Sequence, residues 1–224
     1  MTPFRGSFQA LLYDLDGTLA DSFHPIRESF NAMLRHFGLS RQLSPEESLQ
    51  LVGGGLEESV AQLLPSQEVA RGTAIFRTHY ESIYLETTHP MPYADEILSE
   101  IKNLGLPQGV VTNKLGSSAR ALIRHFKWES LLSLCIGEHD GYALKPSPEM
   151  LLAAAERMNV PPSRILFVGD SPFDLEAGRR AGCPVVLLST GTHTAAELAA
   201  LRPDSVEESL SGVLTWIRGS GRDR

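Results

Sequence analysis

The first apolar run of the chain reads Phe8-Gln9-Ala10-Leu11-Leu12-Tyr13, and it passes directly into the acidic turn Asp14-Leu15-Asp16-Gly17-Thr18. A short apolar run of this kind predicts a buried β-strand. Residues i and i+2 of an extended strand point the same way, so we expect Asp14 and Asp16 to face one pocket. Gly17 allows the sharp turn that follows. Taken alone, the segment is equally compatible with an acidic turn that caps a helix.

Four further apolar runs follow this one and alternate with segments of helical length. The runs cover residues 108–112, 131–136, 165–169 and 184–188. The helical segments lie near residues 94–104, 116–127, 148–159, 173–181 and 194–201. Unbroken apolar strands between helices indicate a parallel sheet that is covered on both faces. We therefore predict an α/β fold with a Rossmann-like, doubly wound parallel sheet.

The segment 22–91 interrupts this alternation. It carries apolar residues at helical spacing, such as Phe23, Ile26 and Phe30, and is punctuated by glycine and proline. The simplest architecture is a catalytic core formed by residues 1–21 and 92–224, with a helical cap over 22–91 inserted after the first strand.

Composition excludes several classes of protein. The 224 residues are 42% hydrophobic and 21% charged, close to globular averages, which excludes a disordered chain. A formal net charge of −7, without a cluster of Lys and Arg, argues against nucleic acid as a partner. No run approaches the ~20 apolar residues that span a bilayer, and the first residues do not resemble a signal peptide. Cys135 and Cys183 stand in or beside apolar runs, which favours buried thiols. We expect a cytoplasmic protein without membrane contacts, and leave monomer and homodimer open.

Polar residues also occur where later strands end. Thr112 and Asn113 close the second strand. Lys145 immediately precedes a helix that we expect Pro146 and Pro148 to open. Asp170 and Asp174 follow the strand 165–169. Each has an ordinary explanation by itself, as a polar strand end, a solvated lysine or a helix cap. Together with the first two aspartates they form a set of hard oxygen ligands without His or Cys, which favours Mg²⁺. A lysine and a hydroxyl would neutralise charge on a phosphoryl group.

At this point four motifs in order resemble those of the haloacid dehalogenase-like phosphohydrolase superfamily. They are Asp14-Leu15-Asp16-Gly17-Thr18, Val111-Thr112-Asn113, Lys145-Pro146 and Gly169-Asp170-Ser171-Pro172-Phe173-Asp174. The resemblance runs from Phe8 to about Leu198. It implies phosphoryl transfer through an aspartyl-phosphate intermediate.

The resemblance also implies a role for each matched residue. Asp14 would be the nucleophile and a ligand of Mg²⁺, and Asp170 would complete the metal site with Asp174 in support. Asp16 would protonate the leaving alkoxide and then activate water, while its backbone carbonyl binds the metal. Dehalogenases need no such acid, so Asp16 favours phosphoryl transfer. The phosphoryl group would be held by three residues, Thr112, Asn113 and Lys145.

The cap carries the information on the substrate. Its loop Val52-Gly53-Gly54-Gly55 resembles the Val-Gly-x-Gly loop of the phosphoglycolate phosphatase-like subfamily, although a flexible connector between helices explains the glycines equally well. The resemblance implies a small phosphorylated metabolite as substrate, with 2-phosphoglycolate as the leading candidate and Gly54 as a contact. The strong cations of the cap are arginines, one of which is a candidate to meet a substrate carboxylate: Arg27, Arg35, Arg41, Arg71 and Arg77.

Other functions remain compatible with the same core residues. A pyrophosphatase, a nucleotidase or a broad sugar-phosphate phosphatase would differ only in the cap. A phosphomutase would return the phosphoryl group to its substrate, but mutases of this cap type place Lys and Arg in the cap loop, where this chain has Val52 and Leu56. A phosphoacceptor switch would leave the cap unexplained, and the intact acidic set argues against a non-catalytic relative.

Overall fold

The centre of the protein is a sheet of six strands in which every neighbouring pair runs parallel. The computed structural model describes residues 8–220, so the ends of the predicted core, 1–7 and 221–224, lie outside it. The strands are β1 (Ala10–Tyr13), β2 (Ala20–Asp21), β3 (His89–Pro90), β4 (Gln108–Leu115), β5 (Leu134–Glu138), β6 (Ile165–Gly169), β7 (Val185–Leu188) and β8 (Ser205–Glu207). The order in the sheet is β5-β4-β1-β6-β7-β8, and β2 and β3 form a separate antiparallel ribbon.

Helices cover both faces of this sheet. They are α1 (Phe23–His36), α2 (Pro45–Leu49), α3 (Leu56–Ala61), α4 (Val69–Thr87), α5 (Ala94–Asn103), α6 (Gly116–His125), α7 (Glu149–Met158), α8 (Pro172–Ala181), α9 (Ala195–Ala200) and α10 (Leu210–Ser220). Short 3₁₀ turns cover Ser66–Glu68 and Pro162–Arg164.

The alternation of side chains along β1 explains why the strand is apolar throughout. Leu11 and Tyr13 point into a core that includes residues of α5, α6 and α10, whereas Ala10 and Leu12 point into a second core with residues of α7, α8 and α9. Both sets are fully buried. The predicted α/β fold with a Rossmann-like, doubly wound parallel sheet is confirmed.

Three elements differ from the sequence prediction. The predicted strand 131–136 is displaced, because Leu131 and Leu132 donate backbone hydrogen bonds to the Trp128 carbonyl in a turn, and pairing with β4 begins only at Leu134. The helix α10 (Leu210–Ser220) was not predicted. The helix predicted near 148–159 is present as Glu149–Met158, with Pro148 at its N-cap position. β8 was not predicted, because its three residues form no apolar run.

The helices α1 to α4 lie between residues 23 and 87, inside the predicted cap 22–91. The ribbon of β2 and β3 joins them to the core at the two places where the chain crosses. Packing within the cap is aromatic: the Phe30 and Phe76 ring centroids are 4.6 Å apart, and Tyr80 stacks on Tyr84 at 4.9 Å. The ribbon is only two residues long on each side, too short to give a periodic signal in the sequence.

Among the helices described between residues 8 and 220, none combines the length and the apolar character that a membrane span requires. Cys135 is half-buried and Cys183 is buried, and both are free thiols.

Candidate active site

Asp14 lies at the end of the central strand of the sheet. Its backbone N–H donates to the Val168 carbonyl of β6 at 2.9 Å, which fixes the residue at the carboxyl edge. The residue is 6% exposed, and the Lys145 ammonium lies 2.8 Å from Oδ1. Burial raises the pKa of Asp14 to about 6, an effect that Lys145 opposes and Asp174 reinforces. The ionised form of Asp14 therefore needs further positive charge.

The loop after β6 supplies two more buried carboxylates. Ser171 and Asp174 form a capping box at the start of α8, in which Asp174 Oδ2 accepts from the Ser171 N–H and hydroxyl. Asp170 is 2% exposed and accepts from the Thr18 hydroxyl at 3.0 Å. Burial, followed by the charges of Asp174 and Asp14, raises the pKa of Asp170 well above its usual range.

Lys145 is the cation that stands between these groups. Its ammonium lies 2.6 Å from Asp174 Oδ1 and 2.8 Å from Asp14 Oδ1, and it also donates to the Val111 carbonyl at 3.1 Å. Burial alone would lower the pKa of Lys145, but the two aspartates raise it above its ordinary value, so the ammonium stays charged.

The charge balance of this cluster fits a metal ion. One carboxylate oxygen from each of Asp14, Asp170 and Asp174 lies within 4.8 Å of the others, and all three residues are buried. Three carboxylates face one ammonium, and buried carboxylates without compensating charge are costly. An oxygen-only set of this kind suits a hard divalent cation. Both oxygens of Asp174 already accept hydrogen bonds, which leaves Asp14 and Asp170 as the freer ligands.

The Asp16 carboxylate faces the same pocket but lies outside the metal cluster found among residues 8–220. Lys114 Nζ lies 2.9 Å from Asp16 Oδ1 and 3.0 Å from Oδ2, and the Ser22 hydroxyl donates to Oδ1. Lys114 is itself buried, and its ammonium lies 4.6 Å from the centroid of the Tyr80 ring. The predicted acid and base is thus held by a lysine of β4 that the sequence analysis did not select.

Thr112 and Asn113 lie at the carboxyl half of β4, as predicted, but their side chains serve different purposes. The Thr112 side chain is buried beside the cluster, and its hydroxyl accepts from the Lys114 N–H at 3.2 Å. Asn113 exchanges hydrogen bonds with the backbone of Lys145 at 2.8 and 2.9 Å and donates to the Gly53 carbonyl at 2.9 Å. Its side-chain amide therefore fixes the lysine loop and the cap loop, and the contact of Asn113 with a phosphoryl group stays a prediction.

The cap closes over the acidic cluster and leaves a cavity of about 110 Å³. Asp14, Thr112 and Asp170 line its floor, and Gly54 and Tyr80 line its cap side. Ligand pockets for drug-sized molecules are roughly 300–1,000 Å³, so this cavity suits a small molecule. The predicted contact Gly54 is thus at the cavity wall, where a Cβ would lie 3.6 Å from the Phe173 ring.

Two glycines leave room for Asp170. Gly17 has φ of +87°, as the predicted sharp turn requires, and a Cβ there would lie 2.6 Å from Asp170 Oδ2. Because Gly17 has no side chain, the Asp170 carboxylate can lie close to the backbone of the turn. A Cβ on Gly191, in the loop after β7, would lie 1.7 Å from the same oxygen. Gly191 was not selected from the sequence, since nothing near residue 191 signals its contact with residue 170.

Comparison with known proteins gives the family. A model of haloacid dehalogenase-like hydrolases matches residues 11–188. The chain belongs to the haloacid dehalogenase-like hydrolase family. The phosphoglycolate phosphatase of Escherichia coli K12 is 29% identical over 231 residues, which cover 92% of this chain and 91% of that protein. The phosphoglycolate phosphatase of Aquifex aeolicus is 30% identical over 183 residues, which cover 82% and 85%.

Solved structures agree with this membership. A protein from Haemophilus somnus, described as a predicted phosphoglycolate phosphatase, is 26% identical with a TM-score of 0.85 and covers 95% of this chain and 99% of its own. A haloacid dehalogenase-like family hydrolase from Streptococcus pneumoniae shares the fold, with a TM-score of 0.87 at 22% identity, over 94% of this chain and 99% of its own. The resemblance inferred from the four motifs is confirmed, and the chain is a phosphatase of the haloacid dehalogenase-like family.

Proposed function

We propose that this phosphatase hydrolyses 2-phosphoglycolate and uses Mg²⁺ as its metal. The observation that carries the proposal is the similarity to phosphoglycolate phosphatases at 29–30% identity over 82–92% of the chain. The cavity of about 110 Å³ supports it, because a nucleotide or a large sugar phosphate needs more room. Oxygen-only ligands support Mg²⁺.

In the proposed reaction Asp14 attacks phosphorus, the bond between phosphorus and the leaving oxygen breaks, and an aspartyl-phosphate forms on Asp14. Asp14 and Asp170 would hold Mg²⁺, which would supply positive charge for the transfer. Lys145 and the Thr112 hydroxyl neutralise charge on the equatorial oxygens, which is the main catalytic task in phosphoryl transfer. Lys145 is positioned for this, since its ammonium lies 2.8 Å from Asp14 Oδ1.

Asp16 is the general acid and general base of the proposed mechanism. It gives a proton to the leaving glycolate oxygen and later takes one from the water that attacks the aspartyl-phosphate. Lys114 and Ser22 hold its carboxylate at the cavity wall, which keeps it on the side where the leaving group departs. Closure of the cap excludes bulk water from this exchange.

The partner in this proposal is a small phosphorylated metabolite alone, without nucleic acid or membrane. The formal net charge of −7 supports the exclusion of nucleic acid. We place the enzyme in the cytoplasm because Cys135 and Cys183 are free thiols, the state that a reducing compartment maintains.

The test is a comparison of kcat/KM for phosphate release with Mg²⁺ across 2-phosphoglycolate, pyrophosphate, nucleotides and sugar phosphates, with Asp14→Asn as the control for contaminating phosphatases. We expect a preference for 2-phosphoglycolate of about 100-fold or more. Equal rates across the panel would refute the substrate and leave a broad phosphatase. Activity that depends on a catalytic bisphosphate would instead identify a mutase.

A further inference from the structure

Helix α4 carries two unsatisfied donors at the cavity. Arg77 and Tyr80 both line the cavity. The Arg77 Nε atom and the Tyr80 hydroxyl are buried, and neither has a hydrogen-bond partner among residues 8–220. Tyr80 as a whole is 6% exposed. Residues three apart on a helix lie side by side, so the two donors form one patch on the cap side of the cavity. Buried donors without acceptors are costly, which points to a ligand that supplies the acceptors.

Lys114 adds a third donor from the core side. Its ammonium pairs with Asp16 at 2.9 and 3.0 Å and lies over the Tyr80 ring, 4.6 Å from the centroid. An ammonium has three N–H groups and accepts nothing. Two of these groups suffice for Asp16, and the Tyr80 proton finds no acceptor on Lys114.

The neighbouring carboxylates that the structure describes do not accept hydrogen bonds from Arg77 Nε or from the Tyr80 hydroxyl. Glu138 accepts from Arg77 Nη2 at 3.1 Å on both of its oxygens, which anchors the guanidinium and leaves Nε–H directed elsewhere. Glu81 also lines the cavity, but within the described range 8–220 it accepts no hydrogen bond from Arg77 Nε or the Tyr80 hydroxyl. Burial raises the pKa of Tyr80 to about 12, so its hydroxyl remains a donor at neutral pH.

The other cap arginines are placed differently. Arg35, Arg41 and Arg71 are exposed, and Arg27 lies 3.6 Å from the neighbouring Glu28. None of the four lines the cavity. Of the five cap arginines named in the sequence analysis, Arg77 is therefore the one placed to contact a substrate carboxylate.

We propose that Arg77 Nε–H, the Tyr80 hydroxyl and the Lys114 ammonium form a subsite for the carboxylate of the substrate. The subsite shares its cavity with the phosphoryl site at Asp14, and it rests on the proposed function. A carboxylate offers two oxygens with about four acceptor positions, which matches three convergent donors. These residues would select a phosphate ester that carries an acidic group close to the ester oxygen.

The experiment crosses variants with two substrates, 2-phosphoglycolate and ethyl phosphate, which lacks the carboxylate. Arg77→Lys keeps the charge beside Glu138 but removes Nε–H, and Tyr80→Phe removes the hydroxyl. The controls on the same helix are Arg71→Lys and Tyr84→Phe, whose parent residues do not line the cavity.

We expect the ratio of kcat/KM values, 2-phosphoglycolate over ethyl phosphate, to fall about 10-fold or more in each cavity variant. The kcat/KM for ethyl phosphate should stay close to the wild-type value, and both controls should keep the wild-type ratio. An unchanged ratio in the cavity variants, or an equal loss on both substrates, would overturn the subsite while leaving the wild-type preference intact. A wild-type enzyme without preference for 2-phosphoglycolate would instead overturn the proposed substrate, and the subsite with it.

Discussion

Substitution of Asp14 by asparagine should stabilise the metal-free protein while it abolishes the phosphatase activity. Burial raises the pKa of Asp14 from 3.8 to about 6, despite the Lys145 ammonium at 2.8 Å. The folded state therefore disfavours the ionised carboxylate that catalysis requires. Asparagine has nearly the same shape and carries no charge, so it removes this unfavourable term.

The sign and size of the effect follow from the two pKa values. Because the folded-state pKa is the higher one, the contribution to stability is fully present below about pH 4 and is lost as the pH rises through about 6. A shift of about 2 units corresponds to about 3 kcal/mol at pH 8. At pH 5 the folded carboxyl is largely protonated, and the cost falls to about half of that value.

Urea unfolding in the presence of EDTA measures this difference at pH 8 and pH 5. We expect Asp14→Asn to be more stable than the wild type by up to about 3 kcal/mol at pH 8, with a smaller gap at pH 5. The exposed Asp21→Asn serves as the control and should change little. Millimolar Mg²⁺ should stabilise the wild type more than the variant. An Asp14→Asn protein that is no more stable than the wild type at pH 8 without metal would show that the buried Asp14 carboxylate does not destabilise the fold.

Three further outcomes are expected. Gly191→Ala would place a Cβ 1.7 Å from Asp170 Oδ2, so the carboxylate must move, and we expect activity to fall about 100-fold with weaker Mg²⁺ activation in a metal titration. Lys145→Met leaves buried carboxylates without their cation and should cost about 3–5 kcal/mol in urea unfolding at pH 8 without metal. Burial raises the pKa of the Cys135 and Cys183 thiols to about 12, so neither should react with a disulfide reagent at pH 8 until denaturant is added.

A specific result would contradict each of these three predictions. Mg²⁺ activation in Gly191→Ala equal to that of the neighbouring Thr192→Ala would show that Asp170 does not depend on this glycine. A urea midpoint in Lys145→Met no lower than in the exposed Lys102→Met would show that the buried ammonium does not stabilise the fold. Immediate reaction of the native thiols would show that burial does not protect them.

Most strands and helices of the core were predicted from the sequence, because each of those has a strong local signal. β6 was predicted with the bounds observed, since four apolar residues lead to Gly169 and the capping Ser171 follows two residues later. α5 and α6 were predicted to within two residues for a similar reason, a clear apolar stripe. Weak local signals failed: β8 has one apolar residue in three, and the turn at Leu131 depends on a hydrogen bond to the Trp128 carbonyl.

Site residues could be predicted from the sequence only where a polar residue directly follows a buried strand. Asp14 and Asp170 follow buried strands, and the structure brings them together. The partners of Asp16 could not be predicted, because Lys114 reaches it from 98 positions away. Nor could the orientation of Tyr80 be predicted, since an aromatic residue at helical spacing indicates core rather than a donor aimed into a cavity. Long-range pairing, and not local pattern, sets these contacts.

The most direct test of the account is the chemical state of Asp14 during turnover. Acid quench of the enzyme with 2-phosphoglycolate and Mg²⁺, followed by borohydride reduction, would convert an aspartyl-phosphate at this position to homoserine, which mass spectrometry of the peptide detects. We expect homoserine at position 14 only in samples that contain substrate and metal. An unmodified Asp14 in samples that turn over substrate, or reduction at another carboxylate, would contradict it.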